Sequence, residues 1–192
     1  MGFLIKQTQI VQEKYFYSRD AFLEALNSYS EFGGGNPVND SKYEIAAFFA
    51  NVAHETRQLC YMEGINGASQ DYCDWSNTQN PCNPNKKCYG RGLLQLSWNY
   101  NYGAAGNDIE FDGINQPDTV ATDPVISFKT ALWFWMNNVH SVLGQGFWAT
   151  INAINGDIEC RGENFDSVQH RVDYYTAYCN QLGVDPGDNL TC

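Results

Sequence analysis

The chain is short of basic residues, of long apolar runs and of paired cysteine motifs. Only 11 of its 192 residues are Lys or Arg, against 22 Asp and Glu, so the formal net charge is −11. Nucleic acids and anionic membranes bind clustered basic side chains, which argues against both as partners. No apolar run approaches the roughly 20 residues of a membrane-spanning helix. No Cys-x-x-Cys pair occurs, which argues against a structural zinc site, and we expect neither a metal nor a cofactor.

The chain does have the length of one domain and many cysteines. Its 192 residues are enough for a sizeable core, and we expect residues 1–192 to form a single domain. Seven cysteines indicate disulfides and an oxidising compartment, and because their number is odd, at least one thiol is free or pairs between molecules. Residues 1–6 contain no long apolar stretch, so we identify no signal peptide there.

Apolar periodicity predicts two helices in the first third of the chain. The first covers residues 17–29, with Ser18 as its N-cap and an inner face of Phe22, Leu23 and Leu26. The second begins with a capping box formed by Ser41 and Glu44. Between these helices, residues 31–40 are rich in turn-forming residues and predict a loop.

Two further helices are predicted after a long loop over residues 66–92. Asp123-Pro124 begins the third helix, with proline at its first position. Asp166 and Gln169 form a capping box that begins the fourth, which ends near Gly183. Convincing alternating strands are absent from the sequence. The expected fold is therefore mainly α-helical, with long loops clipped by cysteines.

Glu55 falls on the apolar face of the second predicted helix, seven positions after Phe48 and three after Val52. A carboxylate on an apolar face is costly unless it is paired or protonated. Burial favours the protonated form of a carboxyl group, and a general acid requires that form at neutral pH. Glu55 is therefore a candidate general acid; the alternative is a glutamate that faces water at the helix end.

Nine motifs occur in a fixed order between Ala53 and Cys192, within a match that runs from about Tyr15 to the end of the chain. They are Ala53-His-Glu-Thr56, Asn66-Gly-Ala-Ser69, Asp71-Tyr-Cys-Asp74, Tyr89-Gly-Arg-Gly92, Gln95-Leu-Ser97, Asn99-Tyr-Asn-Tyr-Gly103, Phe128-Lys-Thr-Ala-Leu-Trp-Phe-Trp135, Ile154-Asn-Gly156 and Asn189-Leu-Thr-Cys192. Together they resemble the catalytic domain of plant class IV chitinases, glycoside hydrolase family 19. The N-terminal chitin-binding module of many relatives is not expected in this chain.

The resemblance implies a two-lobed, lysozyme-like helical fold and inverting hydrolysis of β-1,4-linked N-acetylglucosamine polymers. Inversion needs an acid on one side of the glycosidic bond and a base that activates water on the other. The family acid falls on Glu55, its supporting pair on Arg171 and Glu159, and the serine that helps hold the attacking water on Ser97. The sugar-contacting positions fall on His54, Gln95, Tyr100, Asn101, Lys129 and Asn155. The family disulfides fall on Cys73–Cys82 and Cys160–Cys192.

The departures from the family bear on catalysis. The family base lies nine positions after the acid, and this chain has Gly64 there. Glu63 is retained, and it replaces the base only if the loop is rewound. Arg57 replaces a family glycine two residues after Glu55. Its side chain either places a cation beside Glu55 or points to solvent. Leu93 replaces a family proline, so we regard Arg57, Glu63 and Leu93 as possible modifiers of the ligand-binding cleft.

The remaining cysteines leave two arrangements open. Cys88 replaces a family tyrosine, and the usual partner of Cys60 is missing. Cys60 and Cys88 either form a replacement bridge or remain free thiols, because bridging depends on the separation of the Cα atoms. Cys179 is expected to be a buried thiol on the fourth helix.

The prediction is a chitinase-like protein whose hydrolysis is lost or severely impaired, and which binds oligosaccharides or serves in defence. Two alternatives remain: a residual chitinase that uses Glu63, and a recruited enzyme that uses Glu55 as a lone acid/base on a different small molecule. The expected partner is chitin or a chito-oligosaccharide, or an unknown small molecule, with no nucleic acid and no membrane. We expect a monomer that is secreted, extracellular or vacuolar.

Overall fold

The structure is a computed structural model that describes residues 15–35, 37–162 and 164–192. The expectation for residues 1–6 lies outside these ranges. The described residues form α-helices that we label α1 Arg19–Leu26, α2 Val38–Glu55, α3 Asn99–Ile109, α4 Thr119–Thr122, α5 Pro124–Asn138, α6 Phe147–Glu159 and α7 Phe165–Leu182. Short 3₁₀ turns cover Gly67–Ser69 and His140–Gln145. Within the described ranges the only β-pairing is isolated bridges that join Arg91 to Glu63 and to Leu96. The mainly helical class is confirmed.

The chain divides into two compact units. Among the described residues, unit 1 comprises those up to Ser28 together with Thr56–Trp133, and unit 2 comprises those of Tyr29–Glu55 and Phe134–Cys192. In unit 2, α2 packs against α6 and α7. None of the helices in the described ranges is long and apolar enough to cross a membrane.

Two predicted helix starts are confirmed. The Ser18 hydroxyl accepts a hydrogen bond from the Ala21 N–H at 3.2 Å, which caps α1. Asp123 Oδ1 accepts from the N–H groups of Val125 and Ile126 at 2.8 and 3.1 Å and begins α5. The predicted inner face of α1 is wrong at Leu23, which is 40% exposed, because the helix buries its alanines instead.

The capping box of Ser41 and Glu44 does not form. Helix α2 begins three residues earlier, at Val38, and the Ser41 hydroxyl donates to the Gly35 carbonyl at 2.9 Å. Glu44 is buried, and its Oε1 accepts from Trp135 Nε1–H at 2.9 Å and lies 2.6 Å from His140 Nδ1. A buried carboxylate needs such partners, and they come from distant sequence, which a local pattern does not reveal.

The fourth predicted helix is present with a different cap. Asn164 is the N-cap of α7, and its side chain accepts from the Ser167 N–H at 3.3 Å. Gln169 donates to Asp173 at 2.8 Å instead of closing a capping box. The predicted end is confirmed, since Gly183 follows α7 with a left-handed φ of 69°.

Helices α3, α4 and α6 were not predicted. Helix α3 has the sequence Asn-Tyr-Asn-Tyr-Gly-Ala-Ala-Gly-Asn-Asp-Ile, in which two glycines and four Asn or Asp residues are weak helix formers. Helix α6 lacks a capping side chain and contains a non-helical residue, Asn155, with φ −147° and ψ 33°. Both helices are therefore held by packing in the folded chain rather than by local signals.

Disulfides join Cys73 to Cys82 and Cys160 to Cys192. Cys60, Cys88 and Cys179 are free, so a replacement bridge between Cys60 and Cys88 does not form. Burial raises the pKa of the Cys179 thiol, as expected for an inert cysteine inside a helix bundle.

Candidate active site

A charged network in unit 2 is centred on Arg171 of α7. Its side chain is fully buried, and three of its nitrogens donate to side chains of α2 and α6. Nε and Nη2 donate to the two carboxylate oxygens of Glu159 at 2.8 and 2.6 Å. Nη2 also contacts Glu55 Oε1. A buried guanidinium is tolerated because two carboxylates and a bidentate hydrogen bond compensate its charge.

The two carboxylates of this network differ in their access to solvent. The Glu159 side chain is 2% exposed and the Glu55 side chain is 18% exposed. Glu55 is the last residue of α2, and its side chain is directed inward but remains partly open to solvent. Of the two, only Glu55 has a surface on which a ligand can exchange a proton with a carboxyl group. The expected contact between Glu55 and Arg171 is present.

Asn155 and His54 adjoin the same network. The break in α6 at Asn155 directs its amide toward Glu159, and Nδ2 donates to Glu159 Oε1 at 2.8 Å. His54 Nε2 lies 4.0 Å from the same oxygen, and its ring lies 6.3 Å from that of His170. Both predicted sugar-contacting side chains of unit 2 therefore lie beside the carboxylates.

Burial and charge set the protonation of this network. Burial opposes ionisation of Glu159, but the hydrogen bonds and charge of Arg171 outweigh it and hold the pKa of Glu159 below its usual value. Burial and the nearby Arg171 cation lower the pKa of His54, so this imidazole favours the neutral form. Burial opposes the Arg171 charge, yet Glu55 and Glu159 raise the pKa of Arg171 overall.

Several predicted site residues of unit 1 form a turn that leads into α3. Gln95 has a left-handed φ of 49°, and its Nε2 donates to the Gly92 carbonyl at 2.8 Å. The Ser97 hydroxyl donates to the Gln95 carbonyl at 2.8 Å, and Asn101 Nδ2 donates to the Ser97 carbonyl at 2.9 Å. These bonds fix the positions of the Ser97 hydroxyl and the Gln95 and Asn101 amides.

Aromatic rings lie next to this turn. Tyr100 stacks on Trp98 with a centroid distance of 6.0 Å and an interplanar angle of 9°, and Trp98 meets Tyr72 edge to face at 5.5 Å. Burial and the negative charge of Asp74 raise the pKa of the Tyr100 hydroxyl. Lys129, the remaining predicted contact in this unit, is half-buried on α5.

Gly64 and Glu63 belong to a short paired segment of unit 1. The Gly64 N–H donates to the Gly90 carbonyl at 2.8 Å, which holds its backbone in place. The neighbouring Glu63 Oε1 lies 3.3 Å from Arg91 Nε and 3.2 Å from the Tyr89 hydroxyl. Arg91 also donates to Asp118 Oδ1 at 2.8 Å. The Glu63 carboxylate therefore belongs to an ion-pair cluster around Arg91.

A family profile described as "Chitinase class I" matches residues 3–143 and 140–192. The chain belongs to the glycoside hydrolase family 19 chitinases. Among family 19 relatives, it is 68% identical to Endochitinase EP3 of Arabidopsis thaliana over 92% of this chain, and 64% identical to Chitinase 5 of Oryza sativa subsp. japonica over 93%. The chain spans 65% and 62% of the lengths of these two relatives.

A solved family 19 structure is also similar. The chain matches the class IV chitinase of Zea mays with a TM-score of 0.88 and 58% identity, over 94% of this chain and 88% of that one. The expected lysozyme-like family 19 fold is thereby confirmed. Within the described residues, no group of three or more His, Cys, Asp or Glu side chains is arranged to hold a metal ion.

The predicted modifiers of the ligand surface occupy different environments in this family 19 chain. Arg57 is exposed and has a left-handed φ of 48°, and its guanidinium carbon lies 5.8 Å from the centre of the Tyr61 ring. Leu93 is 0% exposed, so its side chain packs inside unit 1 and is not available to a ligand. Leu93 can therefore modify the ligand-binding cleft only through the residues that pack on it, and this role stays a prediction.

Sequence reasoning missed Asn51, which contacts Arg171 from α2. Its Oδ1 accepts from Arg171 Nη1 at 2.9 Å, across a sequence separation of 120 residues. One signal for it was available: Asn51 lies one helical turn before Glu55, among apolar residues of the same helix. A polar side chain at such a position requires a buried partner.

Proposed function

We propose that this family 19 domain binds chitin or chito-oligosaccharides and that its hydrolysis is lost or severely impaired. The observation that carries the proposal is that the position of the acid keeps its carboxylate, whereas the position of the family base has none. The acid candidate Glu55 keeps its contact with Arg171, and Arg171 is in turn held by Glu159. Gly64, at the position of the family base, supplies no carboxylate. An inverting hydrolase needs both groups, and loss of a general base typically costs about 10²–10⁴-fold in rate.

The contacts of Glu63 favour this proposal over a residual chitinase. A base must accept a proton from water, and its carboxylate must therefore be open to that water. The Glu63 side chain is 45% exposed, but its Oε1 is held by Arg91 Nε and the Tyr89 hydroxyl, and Arg91 is itself only 2% exposed and anchored by Asp118. Releasing Glu63 would remove one of two carboxylates that compensate a buried guanidinium, which is costly.

Ligand binding is supported by polar groups that do not depend on Gly64. The Gln95 and Asn101 side chains are fixed by short hydrogen bonds in unit 1, and Asn155 is fixed by Glu159 in unit 2. Preorganised amides of this kind suit the hydroxyl and acetamido groups of N-acetylglucosamine. In this proposal the chain acts as a secreted monomer, extracellular or vacuolar, with a defence-related role.

The test measures hydrolysis and binding of a soluble N-acetylglucosamine hexamer on one sample. Binding is followed by calorimetry, and product release by chromatography over hours, with Glu55→Gln as the control that lacks the acid. Binding with turnover far below about 1 per second supports the proposal. Turnover typical of enzymes contradicts it, and Glu63→Gln then shows whether Glu63 is the base. Absence of both binding and turnover favours a recruited enzyme with Glu55 acting on another small molecule.

A further inference from the structure

We propose that Asn51 is a positioning residue that holds Arg171 in register with Glu55, and that Thr150 of α6 fixes the Asn51 amide in the orientation this requires. The inference rests on the proposed role of Glu55 as the acid. It concerns residues that lie behind the acid and are fully buried, so neither of them can touch a ligand.

The guanidinium of Arg171 is held at three corners. Nε and Nη2 form a fork with Glu159, at 2.8 and 2.6 Å, and Nη2 also contacts Glu55. Because the fork uses one edge of the planar group, it leaves the guanidinium free to tilt about that edge. Nη1, at the opposite corner, donates to Asn51 Oδ1 at 2.9 Å. This third bond blocks the tilt and so fixes Nη2 relative to Glu55.

The Asn51 amide is locked by two further bonds. Its Nδ2 donates to the Ala47 carbonyl at 2.9 Å and to Thr150 Oγ1 at 3.1 Å. Thr150 in turn donates its hydroxyl to the Phe147 carbonyl at 2.8 Å, which leaves its oxygen free to accept from Asn51. With both Nδ2 protons directed away, only the carbonyl end of the amide faces Arg171. The opposite orientation would set an NH₂ group against a cation.

A chain of buried contacts therefore runs from Thr150 through Asn51 and Arg171 to Glu55. Its members come from α6, α2 and α7, whose mutual packing fixes the spacing. Misplacement of a catalytic group by about 1 Å can cost on the order of 100-fold in rate. Asn51 and Thr150 thus act on the reaction through Arg171, without contact with the reacting atoms.

The experiment compares Thr150→Val with Thr150→Ser, and adds Asn51→Leu. Valine keeps the shape of threonine and removes the acceptor for Asn51, whereas serine keeps that acceptor. The first readout is the titration of His54 by NMR. Burial is the main cause of the lowered pKa of this imidazole, and the charge of Arg171 lowers it further. Glu55 and Glu159 act in the opposite direction, and His170 adds to the lowering. Looser placement of Arg171 is expected to raise the pKa of His54 in Thr150→Val and Asn51→Leu, and to leave it unchanged in Thr150→Ser.

The second readout is the hydrolysis of the hexamer, measured in the Gly64→Glu background or in the unmodified chain if that chain already turns over. We expect kcat to fall about 10- to 100-fold in Asn51→Leu, with KM within about twofold. We also expect kcat to fall in Thr150→Val and to be retained in Thr150→Ser. Thermal unfolding of each variant controls for folding, and the expected loss is roughly 2–10 °C for Asn51→Leu.

The outcomes separate this inference from the proposed function. Fast turnover by the unmodified chain contradicts the proposed function and leaves the role of Asn51 measurable. An unchanged His54 titration in Thr150→Val and in folded Asn51→Leu overturns the inference, whatever the activity. Equal loss of rate in Thr150→Ser and Thr150→Val also overturns it, because the effect would then come from packing and not from the hydrogen bond.

Discussion

Arg171 uses one nitrogen, Nη2, to contact both Glu55 and Glu159. The two carboxylates are therefore coupled through a single donor group, although they lie on different helices. Glu159 is buried and receives two hydrogen bonds from Arg171, while Glu55 receives one and keeps a surface open to solvent. The two carboxylates therefore have different roles: Glu159 holds the arginine, and Glu55 is accessible to a ligand.

Stability is expected to fall on acidification because of Glu159. Burial disfavours its charge, but Arg171 outweighs this and keeps the pKa of Glu159 below its ordinary value of 4.5. The folded chain therefore holds this carboxylate ionised where the unfolded chain protonates it. Its contribution to the free energy of unfolding is present above about pH 4.5 and is lost as the pH falls through the folded pKa.

Glu159→Gln measures that contribution. Urea unfolding at pH 7 is expected to show a loss of about 1.5–3 kcal/mol, since the hydrogen bonds to a charged partner are weakened. The difference between the two proteins should shrink as the pH is lowered, because the unmodified carboxylate becomes neutral too. A difference that stays constant from pH 7 to pH 3 would show that the charge of Glu159 contributes nothing.

Gly64→Glu is expected to increase the hydrolysis of the hexamer by about 10²–10⁴-fold. A Cβ at this position lies 3.2 Å from Gln95 Oε1 and 3.5 Å from the Gly90 carbonyl, so the substitution requires Gln95 to shift by only a few tenths of an ångström while it keeps its bond to the Gly92 carbonyl. Gly64→Gln is the matched control, with equal size and no proton acceptor. A gain in both variants, or in neither while both remain folded, would contradict a missing base as the main defect.

The segment after Glu55 stores backbone strain that Arg57→Gly is expected to relieve. Arg57, Gln58 and Leu59 have φ values of 48°, 60° and 64°, a left-handed run that side chains disfavour by about 1–2 kcal/mol per residue. Glycine removes this cost at one position and loses part of the gain to its greater freedom in the unfolded chain. We expect a net stabilisation of roughly 0.5–1 kcal/mol in urea unfolding.

Arg57→Ala is the control for this prediction. Alanine removes the guanidinium beside Tyr61 and keeps the Cβ atom that causes the strain. The alanine variant is therefore expected to be no more stable than the unmodified chain. Equal stabilisation by alanine and glycine would assign the effect to the side chain of Arg57 and not to its backbone conformation.

Local sequence patterns predicted the parts of the fold that depend on neighbouring residues. The cap of α5 at Asp123 and the stop of α7 at Gly183 each involve groups a few positions apart, and both are present. Glu44 shows where such patterns fail. Its spacing from Ser41 matches a capping box, but its partners Trp135 and His140 are 91 and 96 residues away.

Only part of the candidate site was predicted from the sequence, for the same reason. Glu55 could be found from its place on an apolar helix face, and the resemblance to family 19 supplied Arg171 and Glu159. Asn51 has no motif of its own, and its role depends on helices that meet only in the fold. The ion pair of Glu63 with Arg91 was also missed, since a glutamate next to a glycine carries no local signal of burial or pairing.

Formate is expected to restore part of the hydrolysis in the unmodified chain. In the proposed function position 64 lacks the base, and Gly64 has a hydrogen-bonded backbone and no side chain, so we expect a small diffusible carboxylate to accept a proton from the attacking water there. We expect the rate to rise with formate concentration and to level off on the order of tenfold above the starting rate, because a diffusible base lacks the positioning of a side chain.

Sodium chloride at equal ionic strength controls for screening of the network charges. Gly64→Glu should be insensitive to formate, since its own carboxylate fills the position, and Glu55→Gln should not respond because it lacks the acid. An equal response of the unmodified chain and Gly64→Glu would contradict the assignment of the defect to position 64.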